Sequence, residues 1–247
     1  AGNDCQVQAM PCATIAHAVT QAGAGATVWL LDGVYPAPVG FETVVPAGLT
    51  VRAVHPGAAL LAHSLRMTGG TLAEIVIDRV DGPGRVRVTD GDNQLVGLRW
   101  KGTFSGGATG VGLDVVNAAT ATLRPGQAAN YAAETVGGNV LLTELITVRD
   151  TASLTIDGGL FDGPGVGSGA QNGSPGALAA TGTASLTLVG VTLRAVTRGI
   201  LLVDSASLTV RSSVIEASAI LATGYGIKVG NDAGAVAHVG IVDSTIR

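Results

Sequence analysis

The tetrapeptide Ala-Ser-Leu-Thr occurs three times in this chain, at 152–155, 184–187 and 206–209, and an Ile, Leu or Val follows each copy. The copies lie 32 and 22 residues apart, which indicates structural units of similar content joined by loops of different length. Internal periods of about 20 to 50 residues are typical of solenoids and related repeat folds. The repeat therefore constrains the fold more strongly than any other feature of the sequence.

Four nine-residue segments align without a gap around these copies, at 154–162, 186–194, 208–216 and 239–247. Three of their columns are apolar: Leu154, Leu186, Leu208 and Val239; Ile156, Leu188, Val210 and Ile241; and Phe161, Leu193, Ile215 and Ile246. The column between the first two is Thr155, Thr187, Thr209 and Gly240, which gives the period of two expected for strands. We expect the apolar columns to face the core. Gly158, Gly190, Ser212 and Asp243 are predicted to bend the chain between two short strands.

A second strand precedes each Ala-Ser-Leu-Thr copy and opens at Ile146, Leu178 or Ile200. It leads through a turn in which Asp150 and Asp204 are expected to accept backbone N–H bonds. Such a unit cannot bury its apolar face alone, so the units must stack, with equivalent residues about 4.8 Å apart. The abundance of β-branched residues and glycine argues against a helical repeat. The sequence therefore predicts an all-β solenoid.

The N-terminal residues predict a cap on this solenoid. Residues 13–22 have the pattern of a short helix with Ile15 and Val19 on one face, which would cover the open edge of the first coil. Cys5 and Cys12 are the only cysteines, and without a nearby His at ligand spacing they favour a local disulfide over a metal site. We therefore predict a cap over 1–26 and β-solenoid coils over 27–247. A disulfide would place the protein in the extracellular space or the cell envelope.

These features resemble the pectin-lyase-like superfamily of right-handed parallel β-helices, and in particular uncharacterised bacterial secreted members. The N-terminal pattern that carries the second resemblance consists of Gly2, Asp4, Pro11, Thr14, Ile15, Ala18, Gly25, the apolar run 28–31, Gly33 and Tyr35. The resemblance implies a right-handed parallel β-helix. Lyases of this superfamily use acidic Ca²⁺ ligands with an Arg or Lys base, and related hydrolases use Asp pairs with a Gly-His-Gly motif, which this sequence lacks.

Two short segments contain the candidate binding residues. In the first, Asp90 and Asp92 belong to a run of oxygen ligands that could bind Ca²⁺ or form a plain turn, and no other cofactor is expected. In the second, Trp100 stands between Arg99 and Lys101. An exposed Trp between two cations would suit an acidic sugar, whereas strand alternation would turn Trp100 into the core. These five residues are the predicted glycan-binding set.

The remaining charged residues favour structural roles. The ninth column of the aligned segments is Asp162, Arg194, Glu216 and Arg247, which predicts an ion-pair ladder between coils. The four histidines, His17, His55, His63 and His238, have no metal-motif spacing and are predicted at the surface or in the cap. A net charge of −4 argues against a nucleic-acid partner, and no apolar run reaches the length of about 18 residues that a membrane span needs.

Together these observations predict a secreted or cell-envelope β-helix with a non-catalytic structural or surface-interaction role and weak glycan binding. The alternative is a polysaccharide lyase or glycoside hydrolase for an acidic polysaccharide, with its site around Asp90, Asp92, Arg99 and Lys101. The expected partner is a cell-surface glycan or an envelope protein. The half-unit at 239–247 exposes a strand edge, so we also expect that a second copy, another protein or a continuation of the chain covers it.

Overall fold

The computed structural model describes residues 12–36, 42–78, 83–101, 111–126, 133–134, 145–162, 178–196, 198–217, 225–230 and 236–247. Within these ranges there is one helix, α1 (Ile15–Gln21), and otherwise short strands. In chain order the strands are β1 (Thr27–Leu30), β2 (Gly33–Pro36), β3 (Thr43–Val45), β4 (Thr50–Ala53), β5 (Ala59–Ala62), β6 (Ser64–Met67), β7 (Thr71–Ala73), β8 (Val76–Asp78), β9 (Arg85–Val88), β10 (Asp92–Val96), β11 (Arg99–Lys101), β12 (Leu113–Val115), β13 (Thr120–Arg124), β14 (Ala133–Glu134), β15 (Ile146–Val148), β16 (Ser153–Asp157), β17 (Leu160–Asp162), β18 (Leu178–Ala180), β19 (Ser185–Val189), β20 (Thr192–Val196), β21 (Arg198–Val203), β22 (Ser207–Arg211), β23 (Val214–Ala217), β24 (Tyr225–Gly230), β25 (His238–Val242) and β26 (Thr245–Ile246).

These strands form four parallel sheets that run along the solenoid. Sheet A has nine strands, in the order β1-β4-β7-β10-β13-β16-β19-β22-β25, and sheet C has eight, from β3 through β6, β9, β12, β15, β18 and β21 to β24. Sheet B contains β2, β5, β8, β11 and β14, and sheet D contains β17, β20, β23 and β26. Each circuit of the chain passes from sheet A through B or D to C and back to A. The predicted right-handed parallel β-helix is confirmed, since parallel crossovers of this kind are almost always right-handed.

The Ala-Ser-Leu-Thr copies stack on one another in sheet A in the predicted register. Leu154 pairs with Leu186, Leu186 with Leu208, and Leu208 with Val239. The three leucines are buried, and the threonines next to them are partly exposed on the outer side of the sheet. The Ala-Ser-Leu-Thr tetrapeptide is repeated because identical residues on successive coils pack against each other.

The last coil differs from the prediction that its apolar columns are buried. Val239 is 41% exposed and Ile241 is 48% exposed, although both continue the inward columns of the preceding coils. The reason is their position, because β25 and β26 are the outermost strands of sheets A and D.

The predicted bends after the sheet A strands are present. Gly158, Gly190, Ser212 and Asp243 all have positive φ angles, of 81°, 63°, 48° and 49°. This left-handed conformation is natural for glycine and costs energy for Ser212 and Asp243. The chain therefore turns from sheet A to sheet D with the same backbone geometry in four successive coils.

A second left-handed position recurs where the chain passes from sheet C to sheet A. Asn117, Asp150 and Asp204 have φ angles of 62°, 63° and 60°. An Oδ2 atom of Asp150 accepts a hydrogen bond from the backbone N–H of Asn117 at 2.9 Å, and Asp204 accepts one from Gly182 at 3.0 Å. Each carboxylate thus binds a backbone donor in the preceding coil, which confirms the predicted turn role of both residues.

The helix α1 lies over the first coil, as predicted for a cap. The backbone N–H of His17 donates to Oγ1 of the N-cap residue Thr14 at 3.2 Å. Ile15 and Val19 are buried, and α1 packs against β1 and β3. This described helix has seven residues, too few to span a bilayer. Cys5 lies outside the described residues, so its pairing with Cys12 stays a prediction.

Candidate functional site

Of the two positions predicted for Trp100, the exposed one is wrong and the buried one is observed. Trp100 is 0% exposed, and its ring centroid lies 6.5 Å from that of Phe161 inside the solenoid. The alternation of β11 causes this, because Arg99 and Lys101 are partly exposed while the residue between them points inward. The indole of Trp100 therefore cannot act as a sugar platform.

Arg99 and Lys101 lie on the outer side of sheet B, where the structure gives Arg99 a structural contact. Its Nη2 donates a hydrogen bond to the carbonyl oxygen of Pro56 at 3.1 Å, and the guanidinium lies against Gly57. Lys101 stands beside Asp78 in the register of β11 and β8. The side chain of Arg99 therefore reaches past the coil of β8 to the corner that precedes β5.

Asp90 and Asp92 lie at the turn that leads into β10. Oδ1 of Asp90 accepts a hydrogen bond from the backbone N–H of Gly91 at 2.8 Å. The buried side chain of Asn93 donates to the carbonyl oxygen of Asp90 at 2.8 Å and accepts from the N–H of Gly69 in the preceding coil at 2.8 Å. The segment is built as a turn. Between residues 12 and 247, the described portions bring no three His, Cys, Asp or Glu side chains together as metal ligands.

The structure also separates the two predicted segments. The whole length of β10, about 13 Å at 3.3 Å per residue, lies between Asp92 and the bend that leads to Arg99. Asp90 therefore precedes β10 and Asp92 is its first residue, whereas the two cations lie in β11 on sheet B.

A different group of charged side chains meets on the outer side of sheet C. Arg66, Arg87, Asp114 and Thr147 occupy one register column across β6, β9, β12 and β15. Arg149 follows β15 and reaches back to the same place. We call this group of five residues the arginine face.

Asp114 is the centre of the arginine face and is only 1% exposed. Its Oδ1 accepts hydrogen bonds from Oγ1 of Thr147 at 2.7 Å and from Nε of Arg149 at 3.0 Å. Its Oδ2 accepts from Nη2 of Arg149 at 2.7 Å. This bidentate contact between Arg149 and Asp114 offsets the free-energy cost of burying the carboxylate and fixes the plane of the guanidinium.

Arg87 and Arg66 lie in neighbouring coils with like charges side by side, an arrangement that is unfavourable without nearby anions. Nε of Arg87 is 3.8 Å from Oδ2 of Asp114, and Nε of Arg66 is 3.6 Å from Oε2 of Glu42. Arg87 makes no hydrogen bond to any residue in the described ranges, although its side chain is partly exposed. Among the described residues, three guanidinium groups thus face the two carboxylates of Asp114 and Glu42.

Sequence reasoning missed the arginine face because Arg66, Arg87 and Asp114 lie in the part of the chain where the repeat is weakest. One signal was present, since Arg85 and Arg87 alternate with Val86 and Val88 and must lie on one face of a strand. The strand that supplies Asp114 could be placed beside Arg87 only by extending the column of Ile146 backwards through Leu113.

His63 is also placed differently from the prediction of a surface or cap position. It is buried, its Nδ1 lies 3.0 Å from the carbonyl oxygen of Tyr35, and its Nε2 has no hydrogen-bond partner within the described residues. Burial lowers the pKa of His63 from its ordinary value, more strongly than the contact with Tyr35 raises it. By contrast, His55 is exposed, and its Nδ1 lies 2.9 Å from Oδ1 of the exposed Asp32.

The coil architecture is similar to that of solved structures. The PL6 family alginate lyase AlyGC, in a mutant form, matches with a TM-score of 0.50 at 12% identity, over 87% of this chain and 39% of the lyase. This likeness supports the parallel β-helix fold. The A-module of the Azotobacter vinelandii mannuronan C-5 epimerase AlgE4 matches over 92% of this chain and 88% of the module at 14% identity, with a TM-score of 0.26. No protein-family model and no curated protein matches the sequence.

Proposed function

We propose that this chain is an extracellular or cell-envelope β-helix that binds an acidic polysaccharide on its arginine face without cleaving it. The observation that carries the proposal is Arg87, a partly exposed guanidinium without a hydrogen-bond partner among the described residues, beside a second arginine in the next coil. Planar guanidinium groups bind carboxylates through two parallel hydrogen bonds. A cell-surface glycan is therefore the expected partner, and an envelope protein remains the predicted alternative.

The stacking of coils suits a polymeric ligand better than a single anion. Arg66 and Arg87 repeat at the coil spacing of about 4.8 Å, so a polyuronate chain lying along the solenoid could present successive carboxylates to them. Asp114 keeps Arg149 in place at the next position of the same face. Simultaneous contacts along one polysaccharide chain raise the overall affinity even when each contact is weak.

A binding role without cleavage is supported by what Asp114 does. Both of its oxygens accept hydrogen bonds from Thr147 or Arg149, so the carboxylate orients the cations and is not an open Ca²⁺ ligand of the kind that the lyases use. The similar fold of an alginate lyase supports an acidic polysaccharide as ligand, and it makes alginate a sensible first probe.

Calorimetric titration with alginate oligomers tests the proposal, with Arg87→Gln as the variant. Because the Arg87 side chain makes no hydrogen bond within the described ranges, this change should leave the fold intact and weaken binding about tenfold, the loss expected for one charge-assisted pair. Arg211→Gln is the matched control, since Arg211 is an exposed arginine on sheet A. Affinity should also fall as salt is raised.

Two results would overturn the proposal. Equal losses for Arg87→Gln and Arg211→Gln would mean that only the overall charge matters. New unsaturated or reducing ends that accumulate with pure protein, and that disappear with Arg87→Gln, would show that the arginine face cleaves its ligand.

A further inference from the structure

The outer side of sheet A carries a second exposed group at its first two strands. Trp29 in β1 is 57% exposed, while its neighbours Val28 and Leu30 point into the core. Arg52 is its register partner in β4, and the Arg52 guanidinium carbon lies 5.7 Å from the centroid of the indole. Trp29 is thus a flat aromatic surface open to solvent, with a cation over one part of it.

Arg52 has no other interaction among the described residues. It forms no ion pair and no hydrogen bond there, so the indole is the group that holds its guanidinium. A cation–π contact leaves the N–H donors at the guanidinium edge available. The side chain is therefore placed by Trp29 and still able to bind an anion.

Two hydroxyl groups stand next to this pair. Thr27 and Thr50 precede Trp29 and Arg52 by two residues, so they lie on the same side of sheet A, and they are register partners of each other. Thr27 is exposed and Thr50 is partly exposed. Both are β-branched, so their hydroxyls have few accessible positions.

We propose that Trp29, Arg52, Thr27 and Thr50 form a sugar-binding site for a uronate residue, separate from the arginine face. The apolar face of a pyranose ring packs on the indole, the ring carboxylate accepts hydrogen bonds from Arg52, and sugar hydroxyls bond to the two threonines. A neutral sugar would use the indole alone and leave the guanidinium without a counter-ion. The site lies on sheet A, whereas the arginine face lies on sheet C, so each can exist without the other.

The tryptophan content allows a direct test. The chain has two tryptophans, of which Trp29 is exposed and Trp100 is fully buried, so acrylamide quenching of the fluorescence reports on Trp29. Oligogalacturonate is the probe, and the same oligomer with its carboxyl groups reduced to alcohols is the neutral control. We expect a saturating amount of oligogalacturonate to lower the quenching constant about twofold or more, because the sugar covers a ring that is now mostly open.

Three variants test whether the change in quenching comes from the proposed site. Trp29→Phe should remove the response, because the remaining Trp100 is already shielded from acrylamide. Arg52→Gln should weaken oligogalacturonate binding about tenfold and leave binding of the reduced oligomer unchanged. Arg211→Gln, in the same outward column of sheet A, should change neither. Circular dichroism of each variant checks the fold, and Arg52→Gln suffices if Trp29→Phe does not fold.

The outcomes distinguish this site from the arginine face. Arg87→Gln should weaken alginate binding and leave the fluorescence response in place, so the two proposals can fail separately. Quenching that does not change at a saturating oligomer concentration would overturn the Trp29 site. So would a response that survives Trp29→Phe, one that disappears with Arg87→Gln but not with Arg52→Gln, or equal binding of the charged and the reduced oligomer.

Discussion

Removing one leucine side chain from the stacked column of sheet A should destabilise the solenoid strongly. Leu186 is fully buried and lies between Leu154 in the preceding coil and Leu208 in the following one. Leu186→Ala removes most of this side chain where neighbours on both sides are held by their own strands. The cavity can collapse only slightly, so the expected cost is about 4 kcal/mol, in the upper part of the range of about 2 to 5 kcal/mol for such changes.

The loss of stability should depend on where the truncated leucine lies in the stack of coils. Leu208 is also buried, but its next neighbour, Val239, is partly exposed in the outermost strand and can move into the space. Leu208→Ala should therefore cost less, about 2 to 3 kcal/mol. Thr187→Ala, one residue after Leu186 and on the outer side of the sheet, should cost less than about 1 kcal/mol.

Urea unfolding followed by far-ultraviolet circular dichroism measures these differences as shifts in the midpoint at an unchanged slope. The order Leu186→Ala, Leu208→Ala, Thr187→Ala supports the packing described here. Equal losses for Leu186→Ala and Thr187→Ala would refute it, because a shift of one residue in register exchanges the inner and outer faces of a strand.

Other expectations concern groups elsewhere in the chain. Burial holds the pKa of His63 below its unfolded value of about 6.5, so the folded state binds this proton less readily than the unfolded state does. The free energy of unfolding should therefore be highest above about pH 6.5 and should fall as the pH drops from there to the folded pKa. Unfolding curves of His63→Gln should lack this pH dependence. Mass spectrometry of unreduced protein should find Cys5 and Cys12 joined, and two free thiols would contradict that prediction. If a second copy covers the edge strand β25, light scattering across protein concentrations should show self-association that Ile241→Lys weakens; a strictly monomeric chain whose final strand is protected from hydrogen exchange would contradict the need for any partner.

The solenoid could be predicted because its core repeats. Leu154, Leu186 and Leu208 occupy equivalent places in successive coils, so stacking selects the same residue type each time and leaves a period in the sequence. The corner residues Gly158 and Asp150 carried the same information, since a left-handed backbone restricts the residue types that fit.

The candidate sites could not be predicted in this way. Outward side chains such as Arg87 and Asp114 meet across coils that are 27 residues apart, and no period marks their column. Alternation put Trp100 on the opposite side of its strand from Arg99 and Lys101, and the register of β11 with β8 shows that this side faces the core. The sequence placed Trp29 in the apolar run 28–31 but did not predict its exposure, because it does not tell an exposed Trp in a strand from a buried one.

The recurring left-handed corners have a consequence for how such a chain can evolve. Since Asn117, Asp150 and Asp204 turn the backbone in the same way, each coil begins and ends with nearly the same geometry. A DNA segment that encodes one coil could be duplicated or deleted without disturbing the junctions on either side. Gene rearrangement of this kind between Asp150 and Asp204 would alter the number of coils that follow the arginine face and leave the contacts of that face and of Trp29 intact.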